Sequence, residues 1–229
     1  MAQAHIKPQL WIIAGPNGSG KSSAYGMLAM DSPKDSVWII NPDLLAKRIA
    51  EEEALPLNDA NLQAVIRIEA WLYTSIEAYQ TIGVETVLSS DKFRRLVKTA
   101  KNRGFEINLI YVYLNSVELN IQRVRARLAK GGHDVPEDKI RERRSRSFEQ
   151  FAWFFNEADN ATVFDNSESE PRLVISKEKA GDGFGMHIGK HIIPEIRDAI
   201  LKYNPASQWS FDPKFQAWLE AQLNPPPTS

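Results

Sequence analysis

Leu10-Trp-Ile-Ile-Ala14 runs without a break into Gly15-Pro-Asn-Gly-Ser-Gly-Lys21-Ser22, and this stretch decides the fold. Its first five residues form a continuous apolar run, as expected of a parallel strand buried on both faces. The next eight fit G-x-x-x-x-G-K-[ST], a loop between strand and helix whose backbone N–H groups turn inward on a chain of phosphates. The glycines permit that turn, and the positive end of the following helix favours the anion. Lys21 would bridge the β- and γ-phosphates of a nucleoside triphosphate, and the Ser22 hydroxyl would sit on Mg²⁺. Gly15, Pro16, Asn17, Gly18, Ser19, Gly20, Lys21, Ser22 and Ser23 are therefore the expected nucleotide-binding residues. ATP and Mg²⁺ are the expected cofactors, with Ser22 as the metal ligand.

Outward from the loop, short apolar runs alternate with helical periodicity. Strands are expected at 37–40, 84–88, 107–114, 161–164 and 173–176. Helices are expected at 21–30, 59–80 with Asn58 as N-cap and Gly83 beyond its end, 92–102, 117–130, 136–157, 191–203 and 213–223. Strands separated by helices imply an α/β fold with a mostly parallel sheet and helices on both faces, which binds ligands beyond the carboxyl ends of its strands. The whole of 1–229 reads as one domain, with a core over about 9–180, a basic lid near 131–146 and C-terminal helices over about 188–224.

Composition sets limits on function. The chain has 229 residues, with 28 Lys plus Arg against 29 Asp plus Glu, and no cysteine. The absence of cysteine removes disulfides, thiol catalysis and Cys-based zinc sites, and fits a cytoplasmic setting. No stretch approaches the roughly 20 apolar residues of a membrane helix, and 10–13 is too short for a signal-peptide core. A net charge of −1 argues against a general binder of nucleic acid or membrane, so neither is expected as a partner. The average conceals nine cations and four acids between Arg123 and Arg146. A local basic block in an otherwise acidic chain suits a small phosphate-bearing substrate.

Further segments narrow the reading. Asn41-Pro-Asp43 ends the second strand, and Gly83-Val-Glu85-Thr86-Val-Leu-Ser89 forms the third. Glu118-Leu-Asn-Ile-Gln-Arg123, Gly131-Gly-His133-Asp-Val-Pro136, 141–147 and Val163-Phe-Asp165-Asn166-Ser167 follow. In this order and spacing the set resembles the zeta toxin family, P-loop kinases that phosphorylate a sugar hydroxyl of UDP-N-acetylglucosamine. The Gly-Gly-His-x-Val-Pro segment is similar to one chromosomal branch of that family, and the resemblance covers about residues 10–176.

The resemblance implies a role for each matching residue. Asp43 would be the general base for the attacking sugar hydroxyl, although a residue in its position could equally cap a helix beginning at Leu44. Glu85 and Thr86 would bind substrate hydroxyls, with an ion pair to an arginine as the alternative for Glu85 and strand propensity for Thr86. Arg123 and Arg143 would neutralise charge on the transferring phosphoryl group. The family places Tyr after the second arginine where this chain has Arg144, which leaves the choice among Arg141, Arg143 and Arg144 open. Arg125 and Arg127 read as a solvated helix face, as does the acidic run 51–53. Residues 131–136 would begin the lid, and Asp165 and Asn166 would line the adenine–ribose side. A sugar nucleotide is then the expected small-molecule substrate, and an antitoxin protein the expected partner.

Other features read as structural. His187 and His191 lie four apart with Gly189 between them and no supporting carboxylate, so they do not form a metalloprotease pattern. Trp209, Phe211, Phe215 and Trp218 suit docking of a C-terminal helix. Two alternatives to a sugar-nucleotide kinase stay open: a nucleotide-binding module without catalysis, and a kinase for another nucleotide-linked or nucleic-acid-end hydroxyl. No aromatic-interleaved track supports the nucleic-acid version.

Overall fold

A computed structural model describes residues 7–22, 38–130, 135–180, 183–188 and 192–203. Ser23, most of the expected helix 21–30, the glycines and histidine of 131–134, His191 and the aromatic residues beyond 203 lie outside the described residues.

The strands are β1 (Gln9–Ala14), β2 (Ile39–Ile40), β3 (Ile82–Thr86), β4 (Glu106–Tyr113), β5 (Asn160–Asp165), β6 (Arg172–Ala180) and β7 (Gly183–Ile188). The helices are α1 (Pro42–Glu52), α2 (Leu57–Glu77), α3 (Arg94–Asn102), α4 (Val117–Leu128), α5 (Glu137–Glu157) and α6 (Pro194–Tyr203). One sheet runs in the order β2-β3-β1-β4-β5-β6-β7. The first five of these strands pair in parallel, and β6 and β7 extend the sheet antiparallel.

The apolar run at Leu10 becomes a central strand because nothing polar in it needs water. Leu10, Ile12, Ile13 and Ala14 are all buried. Alternate residues face opposite sides, as the pleat requires. Leu10, Ile12 and Ala14 join the main core, whereas Ile13 packs with Ile110 and Val112 on the other face. The main core is closed by α2 through Ile68, Leu72 and Ile76, by α3 through Leu96 and Val97, and by α5 through Phe148, Phe151 and Phe155. Tyr111 on β4 stacks within this aromatic layer, 4.4 Å from Phe151 by ring centroid. Its hydroxyl donates to Ser147 Oγ, which in turn donates to the Val87 carbonyl at 2.7 Å. Burial pushes the Tyr111 phenol well above its ordinary pKa, so the hydroxyl stays a donor. This chain fixes the middle of α5 to the loop after β3.

Some boundaries differ from expectation for local reasons. Helix α2 starts at Leu57 behind Pro56, whose fixed φ sets the entry, so Asn58 lies inside the helix and is not its cap. It ends at Glu77, where Tyr79 adopts φ 54° and reverses the chain, and Gly83 lies within β3. Helix α3 starts at Arg94 and stops before Gly104, which takes φ 81°. Strand β6 is longer than the apolar run at 173–176 because Lys177 is buried within it. Its Nζ donates to the carbonyls of Phe155 (2.8 Å), Asn156 (3.1 Å) and Ala158 (2.7 Å), satisfying the end of α5. Strand β7, Gly-Phe-Gly-Met-His-Ile, has two glycines among its six residues and differs from expectation in being a strand at all.

Candidate active site

The carboxyl ends of β1, β2 and β3 lie side by side, and each contributes part of one cleft. The loop 15–20 leaves β1 there and turns back into the helical residues Lys21 and Ser22. Gly15 takes φ 146°, and a Cβ on it would fall 2.0 Å from the Val112 carbonyl oxygen. Gly20 takes φ 87°, and a Cβ there would meet Asn166 Nδ2 at 2.2 Å. Both positions therefore exclude a side chain by backbone conformation and by space. Lys21 is buried, and its Nζ donates to the carbonyls of Gly15 (3.0 Å) and Pro16 (3.2 Å). Burial lowers its pKa; Glu85 and Asp43 oppose that shift, while Arg127 adds to it.

Two asparagines clamp the loop from outside. Asn120 on α4 is buried and donates from Nδ2 to the Asn17 carbonyl at 2.6 Å. Asn166, just past β5, donates from Nδ2 to the Ser19 carbonyl at 2.8 Å. Each amide engages a loop carbonyl and none of the loop's backbone N–H groups, of which that of Ser19 donates to the Pro16 carbonyl at 3.2 Å. Neither amide was assigned this role from the sequence. Asn166 was expected on the adenine–ribose side, and Asn120 was not singled out. The neighbouring Asp165 instead closes the turn after β5, accepting from the Ser167 N–H at 2.9 Å and from the Ser167 hydroxyl.

Asn41 caps α1, accepting from the N–H groups of Asp43 (3.0 Å) and Leu44 (3.2 Å). The capping alternative for Asp43 is therefore corrected: the cap lies two residues earlier, because Asn41 holds the extended backbone that Pro42 imposes on its predecessor. Asp43 stands in the first turn, and among the described residues no group donates a hydrogen bond to its carboxylate. Asn41 also donates from Nδ2 to Glu85 Oε2 at 2.9 Å, and the same oxygen accepts from Ser22 Oγ at 3.0 Å. Glu85 is thus engaged by Ser22 and Asn41, and among the described residues it forms no ion pair with an arginine. Thr86 Oγ1 accepts from the Leu88 N–H at 3.0 Å and holds Leu88 at φ 57°.

Lys21, Asp43, Glu85, Thr86, Lys92 and Arg143 line one cleft of about 450 Å³. Arg127 and Arg146 line it too; Arg127 is exposed, as a solvated helix face requires, and stands at this cleft. The helical spacing was the signal: Arg127 lies one turn after Arg123 on the face that meets the loop. Arg125, on another face, pairs with Glu137. Among the three arginines left open, Arg141 pairs with Glu118 at 3.0 Å. Arg144 donates to the Leu114 carbonyl at 3.0 Å and lies 4.6 Å from the Phe148 ring centre. Arg143 is the one that faces the cleft. Arg123 sits against the loop, its Nη1 3.8 Å from where a Cβ on Gly20 would stand, and its Nη2 donates to the Glu168 carbonyl at 3.5 Å. Residues 137–146, expected in a lid, form the first half of α5.

A comparable groove of about 500 Å³ lies between α5 and α6, where Glu149, Glu195 and Asp198 accompany Arg141 and Arg144. It contains no loop residue, so phosphate chemistry belongs to the first cleft. The donor set there also fits a divalent cation. Mg²⁺ is characteristically held by one or two protein oxygens together with substrate phosphates, and Ser22 Oγ beside Glu85 supplies such oxygens.

A mostly parallel sheet, a glycine-cradled loop with a buried lysine and a cationic cleft at the strand ends define a P-loop kinase. The chain matches the zeta toxin family over residues 2–173 and belongs to it. A Haemophilus influenzae protein described only as "Uncharacterized protein" is 31% identical over 147 residues, covering 60% of this chain and 99% of its own. The fold is similar to the AvrRxo1-ORF1:-ORF2 structure with ATP, with TM-score 0.58 and 17% identity over 75% of this chain. This chain spans 59% of that relative's length. It is also similar to a structure of the PezAT chromosomal toxin-antitoxin system of Streptococcus pneumoniae, with TM-score 0.57, 14% identity and coverage of 76% and 72%. Membership and fold place the protein among ATP-dependent phosphotransferases. Among the described residues no helix is long and apolar enough to cross a membrane.

Proposed function

We propose that the protein transfers the γ-phosphoryl group of ATP to a sugar hydroxyl of UDP-N-acetylglucosamine, the acceptor class of its family. One observation carries the reading: the Asp43 carboxylate, with no hydrogen-bond donor among the described residues, lines with the loop lysine a cleft rimmed by cations. A nucleotide-binding module without catalysis has no use for that carboxylate.

In this scheme Asp43 takes the proton of the acceptor hydroxyl as its oxygen bonds to the γ-phosphorus. The bond from the γ-phosphorus to the β,γ-bridging oxygen breaks, and ADP leaves with the electron pair. Lys21 follows the charge on the β- and γ-phosphates, while Arg143 in the cleft and Arg123 beside the loop neutralise the transferring group. Ser22 would hold Mg²⁺, which when bound would supply positive charge to offset that of the phosphates. Positioned charge does most of the work because a loose transition state asks for little covalent participation. Lys92, Arg127 and Arg146 extend the positive lining toward an acceptor that itself carries phosphates, with Thr86 at the same wall. The AvrRxo1-ORF1:-ORF2 and PezAT relatives are described as a two-component structure and a toxin-antitoxin system, which supports an antitoxin protein as partner.

The test is a product screen by mass spectrometry with ATP, Mg²⁺ and a panel of sugar nucleotides. A phosphorylated UDP-N-acetylglucosamine is expected from the native protein and none from Lys21→Ala. Phosphorylation of a different acceptor would retain the kinase and replace the substrate. Equal product from a folded Lys21→Ala variant would remove the kinase reading itself.

A further inference from the structure

A small apolar notch adjoins the catalytic cleft, between α2 and the start of α3. Its volume is about 30 Å³, and Val65, Ile68, Leu72, Phe93 and Leu96 form its apolar walls. The last four of these belong to the main core, so the notch is a gap at the core's margin. Notch and cleft share three residues, Pro42, Val65 and Lys92. Pro42 directly precedes Asp43, so a group seated in the notch lies near the hydroxyl that Asp43 would deprotonate.

Size and lining restrict what can enter. Such a volume admits one or two groups the size of a water, and a water needs two to four polar partners. The five apolar walls offer it no polar side-chain atom, so a methyl group is the better occupant. Glu69 and Lys92, both exposed, supply a charged rim. Lys92 Nζ lies 4.6 Å from the Phe93 ring centre. Desolvation lowers the Lys92 pKa, and the nearby Glu69 carboxylate opposes that shift. An acylamino group presents a methyl, a carbonyl that accepts and an N–H that donates. The notch, the Lys92 ammonium and the Glu69 carboxylate match these three in turn.

We propose that the notch is an acyl pocket: it takes the methyl group of an N-acetylamino acceptor, with Lys92 donating to the acyl carbonyl and Glu69 accepting from the amide N–H. The inference rests on the kinase reading above and adds the group by which the cleft tells one sugar acceptor from another. Val65, shared by notch and cleft, is then a specificity-determining residue. One alkyl group more or less in an apolar pocket discriminates about 10–200-fold.

Competition between acceptors reads this as a ratio of kcat/KM values, which a general loss of activity does not move. With ATP and Mg²⁺, the native protein should favour UDP-N-acetylglucosamine over UDP-glucose about 10–200-fold. Val65→Phe fills the notch from the cleft side and should bring that ratio toward one. Ile68→Val removes one methylene from the wall and should raise the use of UDP-N-propionylglucosamine relative to UDP-N-acetylglucosamine. A loss of stability cannot mimic that gain. A native ratio near one, an unchanged ratio in Val65→Phe, or no gain in Ile68→Val would each overturn the acyl pocket and leave the kinase reading intact. Phosphorylation of none of these UDP-sugars by the native protein would instead bring down the proposed acceptor, and this inference with it.

Discussion

Replacing Asn166 by alanine tests whether the phosphate loop is held from outside. The native amide donates to the Ser19 carbonyl at 2.8 Å, and Asn166 is 7% exposed. Water cannot readily take over at such a site, so truncation leaves a buried carbonyl without its donor, at a cost of about 1–3 kcal/mol. The carbonyl belongs to the loop that receives the phosphates. If the cost falls on the binding-competent shape of that loop, ATP affinity drops about 5–150-fold, since each 1.4 kcal/mol is a factor of ten. Isothermal titration with a non-hydrolysable ATP analogue measures this, and the acceptor KM is the internal control and should hold steady. A second variant sharpens the argument. Gly20→Ala places its Cβ 2.2 Å from Asn166 Nδ2, so part of its penalty is a clash with this amide and part is backbone strain at φ 87°. Combining Gly20→Ala with Asn166→Ala removes the clash and leaves the strain, so the two losses should be less than additive. Unchanged ATP affinity in Asn166→Ala with a lowered melting temperature would show that the amide only fills space. Strict additivity would show that Gly20 and Asn166 do not share a contact.

Asp43→Asn should keep ATP affinity and lower kcat about 10²–10⁴-fold, the usual contribution of a general base; a variant with native kcat removes Asp43 from the chemistry. Arg143→Ala should lower kcat about 10²–10³-fold with a smaller change in ATP affinity. Arg144→Ala should instead lower the melting temperature and leave kcat intact, because Arg144 holds the Leu114 carbonyl and the Phe148 ring; the reverse pattern would exchange their roles. Burial pushes the Lys177 pKa down to about 8 from an ordinary 10.5, so between those values the unfolded chain holds the proton that the folded chain has released. Stability relative to a Lys177→Met variant should therefore rise with pH from about 8 to 10.5, by at most about 1.4 kcal/mol per pH unit, in urea melts across that range. A flat difference would mean that the ammonium keeps its proton on the three carbonyls.

The parallel half of the sheet was legible because its strands bury both faces, which leaves uninterrupted apolar runs such as 10–14 and 109–114. The antiparallel edge was not. Strand β6 spends a lysine on the end of α5, and no local pattern announces that Lys177 will find three carbonyls there. In the site, the loop, Asp43 and Glu85 were legible as positions because strand ends and glycine spacing are local facts. The work of the asparagines was not, since an amide's role depends on which carbonyl the tertiary structure brings within 3 Å. Asn41 is the instructive case. A capping oxygen before Pro42 can be anticipated from sequence, but its other half meets Glu85 only after β2 and β3 align.

The arginines of α5 could have been separated by helical geometry alone. Successive residues turn by about 100°, so residues three and four apart share a face. Ile140, Arg144, Phe148 and Phe151 fall on one stripe, and its apolar members are buried. Arg144 is therefore obliged to lie along the core, where its guanidinium must find a carbonyl, a carboxylate and a ring; it finds Leu114, Glu195 at 3.6 Å and Phe148. Arg143 is turned about 100° away, on the face it shares with Arg146 and Ser147. Ser147 is the residue that bonds the Val87 carbonyl at the cleft wall. The side chain four residues before it must then project along that wall, and Arg143 does. A tyrosine in place of Arg144 would meet the same stripe as an aromatic side chain. This chain's departure from the family at this position therefore changes how the helix is braced and leaves untouched the arginine that faces the cleft.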